Sequence, residues 1–390
     1  MADYQDIRGL RVKYLSTDPT VTVGGQVWYN STTGTLKSQL ISEAWSSGTP
    51  MSTARGSAGS GGIQTAAWVA GGTLTPASGS EFAITEEFNG SGWSSGGDLI
   101  NPRGYTDGSG PLTAGLLVGG YHAPPSPNGE NFVEEYDGTT WTAGTVTPVG
   151  LWQNSVFGTQ TAAVSAGQEP GPSTAVFNYD GSAWTSQGAM TTTRGYVSSA
   201  GIQTAGWIAG GSPPAGEAKT ELYDGSSWTA SADLSTPSSG YSGGGNGSQT
   251  SSIYFGGIGP NPSPGASQAT TELFDGTSWT ASAAMATASD GIGSANNGTS
   301  NSTALSAGGL TNGATPALNK TEEFLNATTI IVPGAWASAP AINTARSLGG
   351  SALPAQNAGI VFGGSPYTGA TEQYNGSAWT TVPGSLNTPR

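Results

Sequence analysis

The 390-residue chain has no cysteine and one histidine, His122. Disulfide staples and thiolate metal sites are thereby excluded, and one imidazole without partners builds neither a metal site nor a catalytic triad. Charge is scarce too: 9% of residues are Asp, Glu, Lys or Arg, and 11 basic against 25 acidic side chains give a formal net charge of −14. So few Lys and Arg supply no basic patch to neutralise nucleic-acid phosphates or anionic lipid. No stretch approaches the ~20 apolar residues of a membrane helix, and the first residues, Met1-Ala-Asp-Tyr-Gln-Asp-Ile-Arg8, lack the basic start and apolar centre of a secretory signal. The expectation is a soluble chain with no cofactor, no metal, no nucleic-acid partner and no membrane insertion.

Glycine (63) and proline (24) are plentiful, yet 12 Trp, 13 Tyr and 9 Phe supply the anchors that disordered chains lack. These residues recur in order, which marks a repeat architecture. A glycine pair follows a short apolar run at Gly71-Gly72, Gly119-Gly120, Gly210-Gly211, Gly256-Gly257, Gly308-Gly309 and Gly363-Gly364, with Ala166-Gly167 as a weakened member. Next comes a glutamate two positions before an aromatic residue, at Glu86, Glu134, Glu221, Glu272, Glu322 and Glu372, with Val176-Phe177-Asn178-Tyr179 in the third copy. A tryptophan stands five residues past the aromatic at Trp93, Trp141, Trp184, Trp228, Trp279 and Trp379, while the sixth copy inserts residues before Trp336. An arginine then opens a Gly/Ser/Ala-rich stretch at Arg55, Arg103, Arg194 and Arg346, whereas Gly150, Ser238 and Ser289 stand near that position in the other copies.

Each copy reads as four antiparallel strands. The small residues after Arg fit a first strand near a crowded axis, and runs such as Ala66-Ala-Trp-Val-Ala70 fit a second strand buried on both faces. The Asp-Gly or Asn-Gly between aromatic and Trp predicts a tight hairpin with both turn residues at positive φ. Seven such copies without helical periodicity predict an all-β fold, a seven-bladed β-propeller of four-stranded antiparallel blades that protects its sheet edges by closing radially. The propeller is expected over residues 45–390, behind a small β-hairpin module over residues 1–44 in which Arg11-Val-Lys-Tyr-Leu15 and Gln26-Val-Trp-Tyr-Asn30, followed by Leu36-Lys37, alternate apolar and polar residues around a turn. Trp45-Ser-Ser-Gly repeats Trp93-Ser-Ser-Gly, so Trp45 is a further copy of the fourth strand that either closes the ring or caps it.

Residues repeated once per blade belong to the scaffold. Arg and Glu are expected to pair within or between blades, and the Trp and Tyr series to form the core between blades. In an antiparallel meander, the loops after strand two and those between blades share one face. That face carries the long variable segments, and recognition is expected there, with Tyr121, His122, Asn128, Glu130, Phe132, Asn261 and Tyr367 as candidate contact residues.

The order Arg-Gly, Gly-Gly, Glu-x-aromatic, Trp resembles the kelch motif of kelch-type β-propellers over roughly residues 51–390. A copper oxidase on that fold needs a Cys ligand and more than one His, and is excluded here. Sialidase-type propellers show a longer Ser-x-Asp-x-Gly-x-x-Trp box than the Asp-Gly-Ser-x-Trp turns of this chain. Residues 1–44 resemble the short N-terminal segments of bacteriophage virion proteins, where such a module tethers a distal domain to the particle. That resemblance implies a non-enzymatic virion structural protein, a tail fibre, appendage or decoration. It would bind other virion proteins through residues 1–44, meet a host-surface glycan or protein, and form a homo-oligomer. The alternative is an extracellular bacterial carbohydrate-binding or adhesin propeller, and a glycosidase-like enzyme ranks third.

Overall fold

Apolar runs too short for helices, punctuated by glycine pairs, fold here as strands. The computed structural model describes residues 13–17, 27–32, 34–75, 79–122, 129–167, 172–212, 217–238, 244–259, 266–312, 317–333, 342–346, 350–355, 358–366, 368–375, 378–383, 386 and 388–389. Every regular element among them is a β-strand. The chain divides into two compact units, residues 40–330 and residues 1–39 with 331–390.

In residues 40–330 the repeat becomes consecutive antiparallel sheets. Sheet 1 comprises Gly59–Ile63, Ala66–Ala70, Thr85–Phe88 and Trp93–Ser95; sheet 2 comprises Asp107–Ser109, Gly115–Val118, Val133–Tyr136 and Trp141–Ala143. Sheet 3 runs from Ser155–Thr159 to Trp184–Ser186, sheet 4 from Ser198–Ile202 to Trp228–Ala230, and sheet 5 from Gly244–Ser248 to Trp279–Ala281. Second strands are buried along nearly their whole length, as at Leu116, Leu117 and Val118. First strands are rich in small residues where the neighbouring sheet's aromatics occupy the space, as in sheet 2, where a Cβ on Gly108 would lie 2.5 Å from the Trp68 ring; sheet 3 is the departure, with Val156 and Phe157 in its first strand.

The sixth sheet joins two distant parts of the chain. Gly293–Ser294, Thr303–Ala307 and Thr321–Pro333 are its first three strands, and Thr35–Ser47 lies beside the third. The Gly48 N–H donates to Thr321 O at 2.8 Å. Trp45 packs 4.9 Å from Phe255 and 5.3 Å from Phe324, and its Nε1–H donates to Thr271 Oγ1 of sheet 5 at 2.9 Å. The same link, from a fourth-strand Trp to the third-strand Thr of the preceding sheet, joins Trp141 to Thr85 at 2.9 Å and Trp279 to Thr220 at 3.0 Å. Trp93 of sheet 1 makes it to Thr321 of sheet 6 at 2.9 Å. First strands of successive sheets touch all the way round, sheet 6 against sheet 1 included.

Residues 40–330 are therefore a closed ring of six four-stranded blades, and Trp45 closes it. The all-β propeller expected from the repeat is what the chain forms, but the repeat count and the ring count differ by one. The seventh copy, from Gly350–Ala355 to Trp379–Val382, is a four-stranded antiparallel sheet in the other unit. The cause lies in the sixth copy, whose insertion separates its own Trp from the preceding strand and leaves the edge beside Thr321–Pro333 to the Trp45 segment; Trp336 lies outside the described residues. In the unit of residues 1–39 and 331–390, Val27–Asn30 forms an antiparallel hairpin with Thr35–Ser38, and Lys13–Leu15 pairs with Val27–Asn30 in parallel.

The Asp-Gly hairpins differ from the two-residue turns expected. Tyr136 pairs with Trp141, so four residues make the loop. Only the glycine, Gly138, has positive φ. Asp137 acts through its side chain, with Oδ1 accepting the Thr139 and Thr140 N–H groups at 2.8 Å each, an Asx turn that holds the loop without a second left-handed residue.

Arg and Glu pair within a blade. Arg55 meets Glu86 at 2.7 Å and Arg194 meets Glu221 at 2.9 Å, and Arg103–Glu134 and Arg346–Glu372 form the same bridge. Each glutamate also accepts two backbone N–H groups from the loop before the first strand, as Glu134 does from Ile100 at 2.8 Å and Asn101 at 3.3 Å. Where the repeat departs, the chemistry is replaced. Lys320 pairs with Glu322 at 3.0 Å in sheet 6, Glu272 of sheet 5 keeps its N–H donors at 2.8 and 2.9 Å, and buried Leu151 and Phe177 stand in one apolar cluster in sheet 3.

Candidate functional site

The chain enters each first strand through the residue that follows the Arg-Gly position. That residue is left-handed in five blades: Ser57 (φ 53°), Tyr105 (54°), Gln153 (57°), Tyr196 (56°) and Gly291 (57°). The equivalent residue of sheet 5 lies outside the described residues. For a residue with a side chain this conformation costs about 1–3 kcal/mol. A chain of peptide hydrogen bonds around the axis maintains it. Tyr196 N–H donates to Gln153 O at 3.3 Å, Gln153 N–H to Tyr105 O at 2.9 Å, Tyr105 N–H to Ser57 O at 2.8 Å, and Ser57 N–H to Gly291 O at 2.9 Å. Repeated strain held by such a circuit orients side chains around an opening on the axis, on the face that carries the glycine-pair loops.

Inside the opening is a cavity of about 550 Å³, counting the open solvent at its mouth. Its wall includes Asp107, Asn154, Ser155, Ser199 and Asn296. The turn between the first two strands of sheet 6 fills the axis below it. Asn297 Oδ1 accepts the Gly62 and Gly110 N–H groups at 3.1 and 2.8 Å, and its Nδ2 donates to Gly158 O at 2.6 Å, so one side chain ties sheets 1, 2 and 3. Asn296 Nδ2 donates to Gly108 O at 2.7 Å and Val156 O at 3.2 Å. Asn246 of sheet 5 accepts the Gly298 N–H at 2.8 Å.

Asp107 is the carboxylate on this wall. It accepts the Gly108 N–H at 2.8 Å on one oxygen and the Val156 N–H at 2.8 Å on the other. Ser155 Oγ stands 3.4 Å from the second oxygen and 2.7 Å from Ser199 Oγ. Burial pushes the carboxyl pKa up to about 7, outweighing the pull of those donors. No Lys, Arg or His is among the lining residues. Four buried oxygens of residues in this lining lack a hydrogen-bond partner: Ser57 Oγ, Gln153 Oε1, Asn154 Oδ1 and Asn296 Oδ1. Two donated bonds to carbonyls fix the Asn296 amide orientation, so its free atom is an acceptor.

Beside the mouth, Tyr105, Tyr121 and Trp152 form an aromatic group. Ring centroids lie 6.3 Å apart for Tyr105–Tyr121, 5.9 Å for Tyr105–Trp152 and 5.8 Å for Tyr121–Trp152. Of the residues singled out in the sequence, Tyr121 thus reaches the rim. His122 Nδ1 lies 2.6 Å from Pro102 O. Glu130 and Phe132 act through the backbone: the Glu130 N–H donates to Gly120 O at 2.9 Å and Phe132 O accepts the Gly119 N–H at 2.8 Å. Asn128, Asn261 and Tyr367 lie outside the described residues.

Sequence reasoning missed Asp107, Gln153, Asn154 and Asn296. Asp107 sits in a stretch read only as small axial residues. The available signal was a break in the repeat, since Asn296-Asn297 stands where other copies have Gly-x-Gln-Thr. No group of three or more His, Cys, Asp or Glu able to hold a metal occurs among the described residues.

No protein-family model matches the chain, and no curated protein matches it. Among solved structures, 213 chains match, so the fold is too widely shared to name an activity. One is the structure of YjhT, a propeller protein, to which this chain is similar at 14% identity with a TM-score of 0.57, over 70% of this chain and 95% of that one. The likeness supports the β-propeller fold.

Proposed function

We propose that the chain is a non-enzymatic structural and recognition protein of a bacteriophage particle, held to other virion proteins through residues 1–44, with the axial mouth of the propeller meeting the host surface. The observation that carries recognition is the circuit of left-handed residues Ser57, Tyr105, Gln153, Tyr196 and Gly291 around a polar cavity. Strain repeated blade after blade is maintained where orientation of side chains matters. Catalysis finds less support, because Asp107 is the one carboxylate among the described residues of the cavity wall and glycoside hydrolysis uses two. The particle setting rests on the resemblance of residues 1–44 to virion N-terminal segments. Imaging of purified particles bound by an antibody against residues 45–330 tests it: the expected result is label at fixed, repeated positions on the tail or capsid. Particles free of label, with the chain recovered from bacterial envelopes, would replace this reading with the adhesin.

A further inference from the structure

The unpaired buried atoms of the lining residues are oxygens, three of them carboxamide acceptors beside the Ser57 hydroxyl. Asn154 and Asn296 are 5% and 3% exposed, and each presents a carboxamide oxygen without a partner; Gln153 adds a third. A buried acceptor left unpaired costs free energy that a donor entering the cavity recovers. Beside these oxygens, Asp107 has backbone N–H partners and a hydroxyl but no cation on the lining, and the chain's net charge of −14 favours cations generally.

From this donor–acceptor imbalance we infer that the axial cavity binds the primary ammonium group of a small hydroxylated ligand. An ammonium carries three donors and no acceptor, matching the free oxygens, and supplies the charge that Asp107 lacks. A neutral hydroxyl satisfies the oxygens but leaves the carboxylate without a counter-charge. An anion meets the free carboxamide oxygens and the Asp107 carboxylate on the same wall. Because burial has raised the Asp107 pKa to about 7, the cation also favours the ionised form of that carboxyl. The aromatic rim of Tyr105, Tyr121 and Trp152 offers a further stabilising face to a cation or to the apolar side of a sugar ring. The group reaches the cavity on an amino sugar or on an ethanolamine head group.

This inference rests on the reading of the axial mouth as the recognition face. Three small hydroxylated probes test it on the full chain at pH 8 by amide chemical-shift titration: ethanolamine, ethylene glycol and glycolate, which are cationic, neutral and anionic. Ethanolamine is expected to shift residues 105–108, 153–155 and 294–297 saturably, at least tenfold more tightly than the other two. Asp107→Asn is expected to weaken ethanolamine at least tenfold while retaining the native spectrum. Should that variant fail to fold, the three-probe comparison on the wild-type chain still decides. Equal binding of ethylene glycol or glycolate, or no shift at these residues, overturns the inference. Methyl glucosaminide and glycerophosphoethanolamine in separate arms distinguish the two sources by which binds more tightly. Failure with ethanolamine alongside intact adsorption to cells removes the ligand class only; loss of adsorption removes the recognition reading itself.

Discussion

A chain beginning at Thr49 is expected to lose the cooperative melting transition of the propeller, whereas one beginning at Leu40 keeps it. The difference between them is the segment that pairs beside Thr321–Pro333 as the fourth strand of the sixth blade. Without it Trp45 no longer packs on Phe255 and Phe324, the Thr271 hydroxyl loses its donor, and Thr321–Pro333 becomes an unpaired edge open to aggregation. Loss of a packed Trp alone costs about 3–5 kcal/mol, a large part of the roughly 5–15 kcal/mol that holds a domain folded. Circular dichroism melts of the two truncations make the comparison, and a synthetic peptide of residues 40–48 added to the shorter chain should restore the transition. Identical melts would mean that the ring does not depend on this strand. Trp45→Phe, which removes chiefly the indole N–H bond, should cost only about 1 kcal/mol.

Arg103→Ala should be the most damaging single substitution in the scaffold. Arg103 and Glu134 are both essentially buried, and removing the guanidinium leaves a carboxylate uncompensated in the interior, which costs about 3–5 kcal/mol. At roughly 2 °C per kcal/mol for a domain of this size, the melting temperature falls by roughly 6–10 °C. Lys219→Ala breaks a pair with Asp233 whose side chains are about half exposed, and it should move the transition by a degree or less. Replacing Arg103 by Leu and Glu134 by Phe together imitates Leu151 and Phe177 of sheet 3 and should recover part of the loss. Recovery is incomplete because the Ile100 and Asn101 N–H groups lose their acceptor. Equal small shifts for Arg103→Ala and Lys219→Ala would show the buried bridge to be dispensable.

Much of this architecture was legible because it repeats. Spacing of Gly pairs, Glu, aromatic and Trp located the four strands of each blade, and the pairing of Arg with Glu followed from their joint recurrence. The number of blades in the ring was not legible in that way, since it depends on which strand reaches a free edge first. Trp45 takes the place that the repeat reserves for a fourth-strand Trp of the sixth copy, and spacing along the chain does not announce that exchange. The cavity was harder to read because a repeat argument assigns every recurring residue to the scaffold. Ser57, Tyr105, Gln153 and Tyr196 share one backbone conformation but no side-chain type, so the feature that unites them is absent from the residue names. Asp107 and Asn296 each occur once and become a site only when six first strands converge on one axis.

Recognition through the axial mouth is tested most directly by competition for adsorption. Particles are mixed with host cells in the presence of excess purified soluble chain, either wild type, Asp107→Asn with Tyr121→Ser at the mouth, or Ile63→Glu with Ile202→Glu at exposed positions on the opposite face. The wild-type chain and the opposite-face variant are predicted to block adsorption equally, and the mouth variant, at matched melting temperature, to block it at least tenfold less. Equal blocking by the mouth variant, or loss of blocking in the opposite-face variant alone, would contradict the account.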